Sequence, residues 1–149
     1  MAYTSIDNPG IYFNTITYTG NGSATRTITG AGFQPDLIIN KDRGASNAHF
    51  VWDAVRGNNM ALQTNDTVVD SNVTSDFGSG GMGSAASDGF NIVSGTSNSN
   101  NVNSSSNTFV AWCWKESADS GMDIVTYTGN GSNRTIAHSL SAEPHWMLF

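Results

Sequence analysis

The sequence predicts an all-β protein, an antiparallel β-sandwich of jelly-roll-like character, and three observations carry that prediction. Its apolar runs are short, rich in β-branched and aromatic residues, and separated by clusters of Gly, Asn, Ser and Thr. Such runs suit half-buried pleated strands joined by tight turns. No stretch places apolar residues at i, i+3, i+4 and i+7 over three turns, the pattern of a helix lying on a core. Charged residues, many of them good helix formers, make up only 12% of the chain.

Taken in order, residues 1–10 are a polar lead-in that ends on the turn signal Asn8-Pro9-Gly10. Residues 11–19, dense in Tyr, Phe, Ile and Thr, form the first strand. Gly20-Asn21-Gly22-Ser23 follows; Asn and Gly accept the positive φ of a tight hairpin turn, so residues 25–29 are expected to return antiparallel. Pro35 cannot donate to a ladder and fits the start of a strand, placed at residues 36–41. Further strands are predicted at 49–55, 61–64, 67–70, 89–94 and 108–115. Residues 78–87 and 96–107 read as long polar loops. Within 108–115, Phe109, Ala111 and Cys113 point to one side, and Val110, Trp112 and Trp114 to the other. Both sides are apolar, so this strand is covered twice, either within the domain or by a neighbouring subunit on one face.

The chain repeats itself. Tyr18-Thr19-Gly20-Asn21-Gly22-Ser23 returns 109 residues later as Tyr127-Thr128-Gly129-Asn130-Gly131-Ser132. Each copy follows a β-branched run, leads into Arg-Thr-Ile (Arg26 to Ile28; Arg134 to Ile136), and is followed by a Pro that opens another apolar run (Pro35; Pro144). Matching order and spacing point to a tandem unit. Residues 1–120 are therefore expected to hold a complete sandwich with its lead-in, and residues 121–149 the first strands of a second, incomplete repeat. The second copy ends on Trp146-Met147-Leu148-Phe149. It is expected to be truncated, disordered, or completed by pairing with another subunit.

Composition argues against several functions. A net charge of −6 with six scattered basic residues does not build a phosphate-binding patch, so no nucleic-acid partner is expected. No run of about 18 apolar residues crosses a bilayer, and no secretion leader precedes the first strand. Cys113, the single cysteine, excludes an intramolecular disulfide and reads as a small buried hydrophobe. Gly78-Ser79-Gly80-Gly81-Met82-Gly83 fits the dinucleotide fingerprint formally, but no βαβ unit surrounds it. His49, His138 and His145 form no ligand pair, and Asp66, Asp70 and Asp76 lack the acidic spacing of a calcium loop. No catalytic residues, metal or cofactor are expected. Arg43, Asp53 and Arg56 stand out as an ion network fixing a loop, because two scarce cations sit near one carboxylate. Trp112, Trp114 and Trp146 stand out as interface positions, with Tyr12, Phe13 and Trp52 as further aromatics available for core packing or for stacking on sugar rings.

Several ordered segments carry a family resemblance: residues 1–7, Tyr12-Phe13, the Tyr18 hexapeptide, Gly32-Phe33-Gln34-Pro35-Asp36-Leu37, Lys41-Asp42-Arg43, Asp53-Ala54-Val55-Arg56-Gly57, Ser87-Asp88-Gly89-Phe90 and Val110-Ala111-Trp112-Cys113-Trp114-Lys115. Over residues 1–116 the chain resembles an uncharacterised repeat domain of marine and cyanobacterial tailed-phage proteins, tail-fibre-like or virion structural. That resemblance implies a non-enzymatic virion protein on the particle exterior, in a tail fibre or as head decoration. It implies contacts with other virion proteins, homo-oligomerisation with a trimer by fibre analogy, and a role in host attachment. Synthesis in the host cytoplasm and release by lysis within an assembled particle would need no leader. The alternatives are a carbohydrate-binding module for host surface glycans, and a surface polysaccharide depolymerase working through two carboxylates.

Overall fold

A computed structural model of the chain describes residues 6–76, 80–95 and 101–149. Strands form where apolar runs occur: β1 (Phe13–Thr19), β2 (Arg26–Thr29), β3 (Leu37–Asp42), β4 (Phe50–Asp53), β5 (Met60–Gln63), β6 (Ser71–Asn72), β7 (Gly81–Ala86), β8 (Gly89–Val93) and β9 (Thr108–Trp114). A 3-10 turn at Pro9–Ile11 precedes β1, capped by the Asn8 side chain accepting from the Gly10 N–H. No α-helix occurs among the described residues, and no helix is long and apolar enough to cross a membrane.

The strands build a six-stranded sheet in the order β1-β9-β3-β4-β5-β6 and a three-stranded sheet in the order β2-β8-β7. Every pairing is antiparallel. The core lies between the sheets. Ile16, Ile38, Phe50, Trp52, Ala61, Ala111 and Cys113 of the large sheet meet Ile28, Met82, Phe90 and Ile92 of the small one. This is the antiparallel β-sandwich that the strand pattern predicts.

Four local expectations are corrected. β1 and β2 are not a hairpin: β1 pairs with β9 and β2 with β8, so the Gly-Asn-Gly turn carries the chain from one sheet to the other. Its backbone donors are taken by a third segment, Gly20 N–H by the Asn107 carbonyl and Gly22 N–H by the Asn103 carbonyl, each at 2.8 Å. The strand expected at 67–70 forms instead at β6, because Val73 is the buried anchor while Val68 and Val69 stay exposed. The loop expected at 78–87 contains β7. An added Cβ at Gly83 would lie 2.5 Å from the Val93 side chain and one at Gly81 2.9 Å from Val73, so close packing on either side of Met82 requires glycine at these two positions. Gly81 to Gly83 of the fingerprint therefore run in a strand paired with β8, with no helix behind them to receive a phosphate. The rest of that motif up to Ser79 lies outside the described residues. Finally, the described part of the polar loop at 96–107 is an inserted plug: Val102 and Asn103 are fully buried.

Beyond the Ser117 to Met122 bridge, residues 123–149 carry no strand and are largely exposed.

Candidate functional site

The large sheet has a buried side and an open side. Along β9 burial alternates strictly, with Phe109, Ala111 and Cys113 buried and Val110, Trp112 and Trp114 half-buried. β3 repeats the alternation, with Ile38, Asn40 and Asp42 buried and Leu37 and Ile39 half-buried. The register sets Leu37 beside Trp114 and Ile39 beside Trp112, and sets Phe13 of β1 on the other flank of Trp114. Phe13 and Trp114 meet in a tilted pair with ring centroids 5.0 Å apart. Leu37, Ile39, Val110, Trp112, Trp114 and Phe13 thus share one outward face, while the small sheet covers the opposite one. Of the two coverings considered for β9, the described residues supply only one.

At one end of that face lies a groove of about 260 Å³ lined by Ile6, Pro9, Tyr12, Phe13, Trp114, Lys115, Ser120 and Met122. Lys115, Tyr12 and Ser120 supply polar groups around the aromatic pair.

The predicted ion network is formed in part. Arg56 Nε meets Asp53 Oδ2 at 2.5 Å, and Asp53 also accepts the Arg56 backbone N–H. Arg56 Nη2 reaches the Val51 carbonyl, while Nη1 has no partner among the described residues. Arg43 is exposed and stands outside the pair: among the described residues only its backbone N–H is bonded, to the Thr108 carbonyl. The structure pairs two of the three residues, and the pair closes the turn after β4.

Sequence reasoning missed the neighbours of Arg43. Asp42 is 2% exposed, and its carboxylate accepts from the Gly44 and Ala45 N–H groups and from the Asn47 and Asn107 side chains. Burial raises its pKa, but the hydrogen bonds from Asn107, Gly44, Asn47 and Ala45 outweigh it and hold the carboxyl below its ordinary range. Lys41 Nζ closes the same loop by donating to the Asp42, Ala45 and Asn47 carbonyls. Asn103 was missed as well. Its Nδ2 donates to Asn21 Oδ1 and the Ser23 carbonyl, and its Oδ1 accepts from Asn21 N–H and Arg26. A polar Asn/Ser run hides Asn103; the lone Val at position 102 within it was the available signal of burial.

Tyr18 links these parts. Its hydroxyl donates to the Val102 carbonyl and accepts from Asn40, and its ring stacks on Phe109 at 5.0 Å. Burial, only partly offset by Asn40, pushes the phenol up. Cys113 is buried, and burial lifts its thiol to about 12, so at neutral pH it is a protonated packing group.

Glu116 and Asp123 carry the other distinctive carboxyls. Burial and a side-chain hydrogen bond to Asp123 raise Glu116, while the Ser139 N–H and Glu116 lower Asp123. Asp66 and Asp76 serve their own turns, accepting from the Thr67 and Asn72 N–H groups. Among the described residues no three His, Cys, Asp or Glu side chains converge as metal ligands. Trp146 is 77% exposed and lies far along the chain from the sheet tryptophans, in a stretch without strands. Trp52 is a core residue on the buried side.

A family model described as a domain of unknown function (DUF7483) matches residues 8–149. The chain belongs to that family. The match to DUF7483 runs continuously through the sandwich and the strandless segment that follows it. No curated protein and no solved structure matches the chain.

Proposed function

We propose that the chain is a non-enzymatic structural module of a tailed-phage virion, displayed on the particle exterior in a tail fibre or as head decoration, with a part in host attachment. The observation that carries this is the open apolar face of the large sheet. A face bearing Trp112, Trp114 and Phe13 beside Leu37 and Ile39 costs solvation free energy when left in water, and such patches mark contact surfaces. Its partners are other virion proteins and further copies of the chain. Arg56 and Asp53 brace the adjoining turn. Residues 121–149, which repeat the opening phrase of the sandwich, open a second unit. In purified particles the protein should appear by mass spectrometry at a stoichiometric copy number, and Trp112→Ser with Trp114→Ser should abolish its incorporation while leaving the sandwich folded. Absence from particles removes this function.

The groove beside the Phe13 and Trp114 pair favours a second function, binding of host surface glycans, since an aromatic wall with Lys115, Tyr12 and Ser120 at its rim can stack on a pyranose and bond its hydroxyls. A glycan array supports it if binding is lost in Trp114→Ala, and an array without binding rejects it.

A further inference from the structure

We infer that β1 is the seam of a two-fold dimer, in which the large sheets of two copies join edge to edge through antiparallel β1 strands. The described residues form two sheets with four edges, and three are guarded. β6 is two residues long, β2 is four residues long and carries Arg26, and β7 is broken by a register shift between Met82 and Ser84. Short length, charge and bulges are the devices by which proteins keep edges from pairing. β1 has none of them. It runs seven residues, Phe-Asn-Thr-Ile-Thr-Tyr-Thr, without charge, Pro or Gly, in unbroken register with β9.

The hydrogen-bond pattern fixes what the edge offers. Tyr12 C=O accepts from Lys115 N–H and Gly20 N–H donates to Asn107, so even-numbered residues of this stretch face β9. Phe13, Thr15, Thr17 and Thr19 then direct their backbone groups outward. Two of those groups are already satisfied: Thr15 N–H by the Asn14 side chain and Thr19 C=O by Arg26. Phe13 N–H and C=O, Thr15 C=O, Thr17 N–H and C=O, and Thr19 N–H have no partner among the described residues.

The edge is complementary to itself. A two-fold axis through Thr17 sets Thr17 opposite the Thr17 of a second copy and Thr15 opposite its Thr19. Thr17 N–H and Thr19 N–H of each copy then meet the open Thr17 C=O and Thr15 C=O of the other, giving four new hydrogen bonds across the axis, while the capped Thr15 N–H faces the capped Thr19 C=O. Side chains agree with the register. On the outer side Thr17 faces its own copy and Thr15 faces Thr19, on the buried side Ile16 faces Tyr18, and no like charges lie opposite one another. The second copy is the occupant because only a strand with this spacing of free and capped groups satisfies the edge from both sides. The dimer extends the open face of the proposed assembly surface but does not depend on it.

Sedimentation of the full chain over a concentration series tests the seam. Thr17→Pro removes an outward N–H at an edge position where Pro is tolerated, and Thr17→Lys places charge at the seam without altering the core. Wild type should form a dimer, and both variants should weaken it at least tenfold. A monomeric wild type overturns the inference. So does a dimer that survives in both variants, and if that dimer is lost in Trp112→Ser the outer-face contact stands while the seam does not.

Discussion

The Tyr-Thr-Gly-Asn-Gly-Ser phrase occurs at two places in the molecule, with the same local geometry and different surroundings. Ser23 N–H bonds Asn21 Oδ1 at 3.0 Å, and Ser132 N–H bonds Asn130 Oδ1 at 3.0 Å. Gly22 has φ 72° and Gly131 φ 71°. Arg26 donates to the Thr19 carbonyl and Arg134 to the Thr128 carbonyl. Yet the first copy connects two strands and the second connects none. The difference lies in Asn103 and Asn107, which accept the Gly20 and Gly22 donors and hold Asn21. No described residue does this for the second copy. The turn is written in six residues, whereas the strands on either side need partners from elsewhere in the chain.

The largest separation between the copies is expected from glycine substitution. An added Cβ at Gly20 would lie 2.0 Å from the Ser104 carbonyl oxygen, while Gly129 has nothing within 4 Å. Gly20→Ala should cost about 3 kcal/mol and Gly129→Ala less than about 0.5 kcal/mol, read from denaturant melts. Asn103→Ala should cost about 2 kcal/mol by leaving Asn21 and Arg26 without their buried partner, with no change in the signals of residues 127–132. Arg26→Ala should cost about 1 kcal/mol and Arg134→Ala nearly nothing, since the latter is exposed. The smallest effect is acid sensitivity. Asp42 holds Asn107, whose carbonyl receives Gly20. Its folded pKa is depressed, so its contribution is complete above the ordinary carboxylate range and is lost as pH falls through the folded value. Below pH ~4 the first copy should loosen before the second changes, and Asp42→Asn should abolish that dependence.

Strand class and most strand positions were legible in the sequence because alternation and β-branching are local. β9 showed its two apolar sides in six residues, Phe109 to Trp114, and the structure turns that into one core face and one open face. β7 was not legible. Its Gly, Ser and Ala residues have low strand propensity, and the reason for Gly81 and Gly83 is the proximity of Val73 and Val93, which no local pattern contains. The plug at Val102 and Asn103 was hidden for the same cause: an Asn in a polar run looks solvated until the four hydrogen bonds of its side chain are known. Asp53 and Arg56 were found through charge scarcity, three residues apart on one turn. Asp42 escaped because two of its four donors come from backbone and one from a residue 65 positions away.

Amide hydrogen exchange of the native chain tests most directly the claim that partners, and not the repeated phrase, make the first copy part of the fold. Gly22 N–H donates to the Asn103 carbonyl at 2.8 Å, and Gly131 N–H has no partner among the described residues. Gly22 should exchange only on unfolding of the sandwich, and Gly131 at close to the rate of an open chain. Equal protection at the two glycines would contradict this account.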